Sequence, residues 1–288
     1  MKYSHTLKGR VSHEAIKDRR FFRMIEINKI HEGNCLEIMK QIDDKSINLI
    51  LCDLPYGVTA RNEWDKIIPF DKLWGQYNRI IKDSGVIVLT ATQPFASMLI
   101  QSNIKMFRYD LIWDKKAVTG FLNTKKMPLR RHETILVFYK SCPTYNPQKT
   151  KGKLIKKCTQ AKQTSNYNDA SNRPEPYMSD EYYPTSIIEI GNGRVKGGHP
   201  TQKPIELFEY IIKTYTDEGD LVLDNCIGSG TTALACLNLN RNFIGIELEQ
   251  KYVDICNKRI MEVKSGCDAN DDGIPPNNKL SGILPNEL

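Results

Sequence analysis

With 288 residues, 40% of them hydrophobic, the chain carries enough apolar material for one domain with a substantial core and room for an insertion. No apolar run approaches the ~20 residues of a membrane helix and no secretory stretch opens the chain, so no membrane-spanning helix is expected and a cytoplasmic protein is predicted. The formal charge of +7 suits a polyanionic partner without establishing one, while eight scattered cysteines with no C-x-x-C and five histidines away from ligand spacing leave metal-dependent chemistry unsupported.

Residues 1–23 are polar and basic (Lys2, Lys8, Arg10, Lys17, Arg19, Arg20, Arg23) and read as an arm, either DNA-contacting or simply solvated. From Ile25 a strand-like stretch leads to helical spacing over Leu36–Ile42. The apolar run Ile47–Cys52 then ends on Asp53, the pattern of a buried strand that delivers an acid to a sheet edge. A helix through Leu73–Ile81, a strand at Gly85–Leu89 and further strand-like segments up to Ile135–Tyr139 complete a first half, residues 24–139. Residues 140–198 are rich in Lys, Pro, Asn, Ser and Tyr, with seven lysines and no acid between Lys140 and Gln163. Such a segment either contacts nucleic-acid phosphates or is a solvated insertion. In residues 199–263 the helix Ile205–Tyr215, strand Leu221–Leu223, helix Thr231–Leu239 and strand Phe243–Ile246 form a second β-α-β pattern. Residues 264–288 read as a mobile tail. Strands separated by helices predict an α/β fold with a doubly wound, mostly parallel sheet.

Two constellations carry chemistry. In Leu221–Thr232 an apolar strand runs through the turn Asp224-Asn225-Cys226-Ile227-Gly228-Ser229-Gly230 into the helix at Thr231, and Glu247 ends the following strand. Glycines let a ligand approach the backbone, and a carboxylate about 20 residues on can accept ribose hydroxyls. No lysine follows the glycines, so this is not an ATP-type phosphate loop, and an adenosine-bearing cofactor is expected. The second constellation, Asp53-Leu54-Pro55-Tyr56-Gly57, sits at the mouth of an apolar strand. An exocyclic base amine is a poor nucleophile because its lone pair is delocalised. Asp53 and the carbonyl of Leu54 or Pro55 can accept its two hydrogens and free that pair, while Tyr56 offers a face to an extruded base. A Gly-rich turn alone is weak evidence, but the strand, turn, helix, strand and terminal Glu in sequence are stronger, whereas Asp53–Gly57 taken alone is equally readable as an ordinary turn with an Asp cap.

Together, and in this order, they resemble the beta group of DNA amino-methyltransferases, in which a D-P-P-Y motif precedes a target-recognition region and D-P-F-x-G-S-G-T-T lies near the C-terminus. The resemblance spans about Ile30–Ile260 and includes Trp113-Asp114-Lys115, Arg131-His132-Glu133 and His199-Pro200-Thr201-Gln202-Lys203-Pro204. It implies a Rossmann-like S-adenosylmethionine-dependent fold whose inserted target-recognition segment is 140–198. It also implies a catalytic set of Asp53, Leu54, Pro55 and Tyr56, and a cofactor set of Asp224, Gly228, Ser229, Gly230, Thr231 and Glu247, with Thr201 and Lys203 as pocket walls.

The implied reaction moves a methyl group from S-adenosylmethionine to a base amine in double-stranded DNA, with no metal. An Asp at the head of the motif is tied by the resemblance chiefly to adenine N6, with cytosine N4 as the alternative. A homodimer and a cognate restriction endonuclease are the partners the family suggests. An RNA base methyltransferase and a non-catalytic DNA-binding regulator are the rival readings. Leu54 departs from the first Pro of D-P-P-Y, and Asn225-Cys226 from Pro-Phe. His132 and Glu133, just before an apolar strand, read as structural.

Overall fold

The computed structural model describes residues 25–57, 66–157, 177–192 and 202–265. The basic arm 1–23, nearly all of the tail 264–288, part of the 140–198 segment and Thr201 lie outside these residues.

Ten strands and six α-helices are described. The strands are β1 (Lys29–Glu32), β2 (Ile47–Asp53), β3 (Ile81–Ala91), β4 (Phe107–Thr119), β5 (Arg130–Tyr139), β6 (Thr150–Lys157), β7 (Tyr177–Tyr182), β8 (Ile187–Glu189), β9 (Leu221–Asp224) and β10 (Asn242–Glu247). The helices are α1 (Cys35–Ile38), α2 (Phe70–Ile80), α3 (Phe95–Ser102), α4 (Ile205–Tyr215), α5 (Thr231–Asn238) and α6 (Gln250–Lys264). Eight strands form one sheet in the order β1-β10-β9-β2-β3-β5-β4-β8, while β6 and β7 pair separately as an antiparallel ribbon. Every neighbouring pair is parallel except those of β5, which runs against both β3 and β4.

Alternation along the central strands explains why they read as continuous apolar runs: both faces are covered. Leu49 and Leu51 of β2 enter a cluster with Leu207, Phe208 and Ile211 of α4, Leu234 of α5 and Val253 and Ile260 of α6. Ile50 and Cys52, pointing the other way, pack with Leu73, Trp74, Tyr77 and Ile80 of α2 and Phe95 and Leu99 of α3. Helices thus cover both sides of a mostly parallel sheet, which is the expected doubly wound, Rossmann-like architecture.

β8 pairs with β4 through Ile112↔Ile187 to Asp114↔Glu189, so these residues of the 140–198 segment belong to the main sheet. Helix α6 extends past the elements read from the sequence. It buries Val253, Cys256 and Ile260 at spacings of three and four, one stripe of an amphipathic helix.

Strand order places the site. The chain leaves β9 toward β10 on one side and β2 toward β3 on the other, so adjacent β2 and β9 form a topological switch point. Their register, Leu49↔Val222 and Ile50↔Leu223, brings the carboxyl ends with Asp53 and Asp224 to the same edge, where open α/β sheets form their crevice.

Candidate active site

A cavity of about 910 Å³ opens at that crevice. Asp53, Leu54, Pro55 and Tyr56 line one part of it, and Asp224, Gly228, Ser229, Thr231 and Glu247 another. The structure therefore brings both constellations into one continuous space.

Asp53 stands at the last position of β2, level with Thr90 on β3. Its Oδ1 accepts hydrogen bonds from the Tyr56 and Thr90 hydroxyls, and its Oδ2 accepts from Lys203 Nζ at 2.5 Å. Tyr56 leans on the Phe95 ring, with centroids 5.1 Å apart. Burial and the neighbouring Asp53 carboxylate hold the Tyr56 hydroxyl well above its usual range, so it acts as a neutral donor.

Lys203 belongs to a larger buried array. Its ammonium also lies 3.4 Å from Glu133 Oε2, and Glu133 Oε1 meets Lys115 Nζ at 3.2 Å. Carboxylates and ammoniums thus alternate from Asp53 through Lys203 and Glu133 to Lys115. Burial alone would drive the proton off Lys203, but the Asp53 and Glu133 carboxylates outweigh it and hold the ammonium above its ordinary value.

Lys203 lines the cavity, where the resemblance implies a pocket wall, and its ammonium also pairs with Asp53. Glu133, read as structural, faces the cavity, as does Lys115. His132 beside it is exposed. Period-two alternation carried the signal: Glu133, Ile135 and Val137 share one face of β5, so Glu133 is the point where that face passes from core to cavity.

The Gly-rich turn is held from several sides. Glu247, at the end of β10, accepts the Gly228 N–H on Oε2 at 2.9 Å and the Glu249 N–H on Oε1 at 3.0 Å. From α6, Cys256 Sγ donates to the Gly228 carbonyl and Arg259 Nη1 to the Ser229 carbonyl at 2.6 Å. Gly228 and Gly230 have φ of +54° and +88°, values that favour glycine. Their surroundings differ: a Cβ on Gly228 would point into open space, whereas one on Gly230 would meet Cys256 Sγ at 3.0 Å. Gly228 therefore keeps room beside the backbone for a ligand, while Gly230, placed by the resemblance in the cofactor set, packs against α6.

Asp224 is buried beneath the turn, accepting the Thr232 hydroxyl and, at 3.1 Å, the Cys226 N–H. Burial pushes its carboxyl up to about 7, and these two donors only partly oppose that. Asn225, which stands where the family motif has Pro, accepts a hydrogen bond from Tyr77 on α2 at 2.5 Å. That bond ties the turn to a helix on the opposite face of the sheet. Among the described residues no group of three or more His, Cys, Asp or Glu side chains is arranged to hold a metal, and no helix is long and apolar enough to cross a membrane.

Comparison with known proteins accords with this geometry. The DNA methylase family profile matches residues 47–258. The Type II methyltransferase M1.MboII of Moraxella bovis is 31% identical over 254 residues, covering 81% of this chain and 96% of its own. The Type II methyltransferase M.HinfI of Haemophilus influenzae is 30% identical, covering 83% of this chain and 69% of its own. Two solved structures share the fold: the M1.HpyAVI–SAM complex (24% identity, 80% of this chain and 98% of that one, TM-score 0.54) and the cytosine-N4-specific PvuII DNA methyltransferase (18%, 83% and 91%, TM-score 0.58). With more than half of its length inside the family profile and a relative aligned almost end to end, this chain belongs to the DNA methylase family.

Proposed function

We propose that the protein transfers a methyl group from S-adenosylmethionine to the exocyclic amine of a base extruded from duplex DNA at a specific sequence, with adenine N6 as the target. The observation that carries this reading is the single cavity with two subsites: an acceptor-rich wall around Asp53 and Tyr56, and a glycine-lined wall ending in Glu247.

The residues present fit the donor. Gly228 leaves open space against its backbone, and each Glu247 oxygen has lone-pair capacity beyond the one N–H it accepts, which suits ribose hydroxyls. When bound, the donor supplies a methyl already activated on a sulfonium centre. Asp53 accepts one amine hydrogen and the carbonyl of Leu54 or Pro55 the other, which releases the nitrogen lone pair for attack. Tyr56 moves from Asp53 to the face of the base. Lys203 keeps the Asp53 carboxylate oriented and charge-compensated as the surplus amine proton passes to it.

The Asp at the head of the motif favours adenine over cytosine, and the lysine-rich 140–198 segment is the proposed reader of the recognition sequence. Incubating unmethylated duplex DNA with labelled S-adenosylmethionine and identifying the modified nucleoside tests this. N6-methyladenine at one short sequence is expected. N4-methylcytosine would transfer the same mechanism to the other amine, and an absence of transfer would overturn it.

A further inference from the structure

The connection from β4 to β5 is absent from both core clusters, and residues 116–128 are exposed without interruption. Register fixes where it stands. Asp53 pairs with Thr90, Thr90 with Ile135 and Ile135 with Leu111. The residues of β5 before Ile135 and of β4 after Leu111 therefore overshoot the sheet on the catalytic side. At roughly 3.3 Å per residue, Arg130, five residues before Ile135, lies about 17 Å beyond that row.

The stem is braced. Arg131 grips both oxygens of Asp114 at 2.7 Å, and Lys116 pairs with Glu189 at 3.4 Å. Thr119 lines the cavity itself, so the projection rises from the rim of the site.

The apolar side chains of the tip lie outside both core clusters. Leu122 is 101% exposed and Phe121 64%, with Val118 and Met127 exposed beside them. Between Asp114 and Glu133 the chain has six basic residues and no acid. Among the described residues, no carboxylate lies within ion-pair distance of Lys125, Lys126 or Arg130. A large apolar tip ringed by uncompensated cations suits the duplex, whose base stack is apolar and whose flanks are anionic.

We propose that this hairpin is a wedge: Leu122, with Phe121 against the neighbouring base, enters the stack where the target base has left it, while Lys125, Lys126 and Arg130 hold the flanking phosphates. Extruding a base costs its stacking and pairing, and an apolar side chain in the gap recovers part of that cost. The inference rests on the reading above, that the substrate is duplex DNA with an extruded base.

The test compares wild type with a Phe121→Ser/Leu122→Ser double variant on two duplexes carrying the methylated sequence, one fully paired and one with an abasic site opposite the target base. The wedge predicts a roughly tenfold or greater loss of methyl transfer on the paired duplex and a change within about twofold on the abasic one, because there the pairing is already broken. S-adenosylmethionine affinity stays unchanged. Full activity of the variant on the paired duplex overturns the wedge. So do equal losses on both duplexes, which would make the tip a simple grip, and sedimentation showing that the variant dissolves a wild-type dimer, which would make a second copy of the chain the occupant. A wild type that methylates neither duplex removes the substrate reading itself and the wedge with it.

Discussion

Lys203 Nζ lies 2.5 Å from Asp53 Oδ2, although 150 positions separate the two residues in the chain. The contact is possible because Lys203 stands just before the Pro204 N-cap of α4, which packs on one face of the sheet, while Asp53 ends a central strand of that sheet. It places a buried cation behind the carboxylate that the proposed function assigns to the amine.

Replacing Lys203 by Gln leaves Asp53 and Glu133 facing each other without the charge between them. Methyl transfer should fall by on the order of 10²-fold, and stability by roughly 3 kcal/mol, as for other broken buried pairs. Lys203→Arg should recover part of the rate. Single-turnover kinetics and urea unfolding check both effects, and a Lys203→Gln variant with wild-type rate would remove Lys203 from the chemistry.

Glu247→Gln is a sharper probe of the cofactor wall than its size suggests. Both carboxylate oxygens accept backbone N–H groups, and an amide can satisfy only one of them while turning a donor toward the other. S-adenosylmethionine should bind roughly tenfold or more weakly, the equivalent of about 1.4 kcal/mol. Calorimetric titration measures it, with unchanged affinity as the contrary result.

Asp224 sets a pH dependence. Its carboxyl titrates at about 7 in the folded chain against 3.8 in a free side chain. A raised folded value stabilises the protein fully only below the unfolded value, and that stabilisation is lost as pH rises from about 4 through 7. Wild type should therefore lose stability relative to Asp224→Asn across this window, by on the order of 3 kcal/mol. Parallel unfolding curves at pH 4.5 and 8 test this, and a difference that does not move with pH would contradict it.

Tyr77→Phe removes the hydroxyl that satisfies the buried Asn225 amide oxygen. A stability loss of about 1–2 kcal/mol is expected, seen as a fall of a few degrees in Tm. A variant as stable as wild type would show that the turn does not depend on α2.

The parts of the site that were legible in the sequence are those whose neighbours in space are neighbours in the chain. Asp53 to Tyr56, the turn from Asp224 to Thr231 and the strand ending in Glu247 each declare themselves within a dozen residues, by apolar runs that stop at a polar group. The doubly wound sheet was legible for the same reason, since helix and strand periodicities alternate along both halves.

Contacts across the sheet were not. Thr90 reaches Asp53 only through the β2–β3 register, Glu133 only because β5 runs antiparallel, and no local pattern reports that reversal. The Cys256 and Arg259 contacts to the turn depend on where α6 docks, although the Val253, Cys256 and Ile260 stripe was there to be read.

The most direct test of the central claim separates the two walls of the cavity with one substitution. Asp53→Ala should abolish labelled methyl transfer to duplex DNA while leaving S-adenosylmethionine affinity within about threefold of wild type, because the proposed function assigns Asp53 to the amine and Glu247 with the Gly-rich turn to the donor. Retained transfer by Asp53→Ala would contradict the assignment of the amine chemistry to this carboxylate.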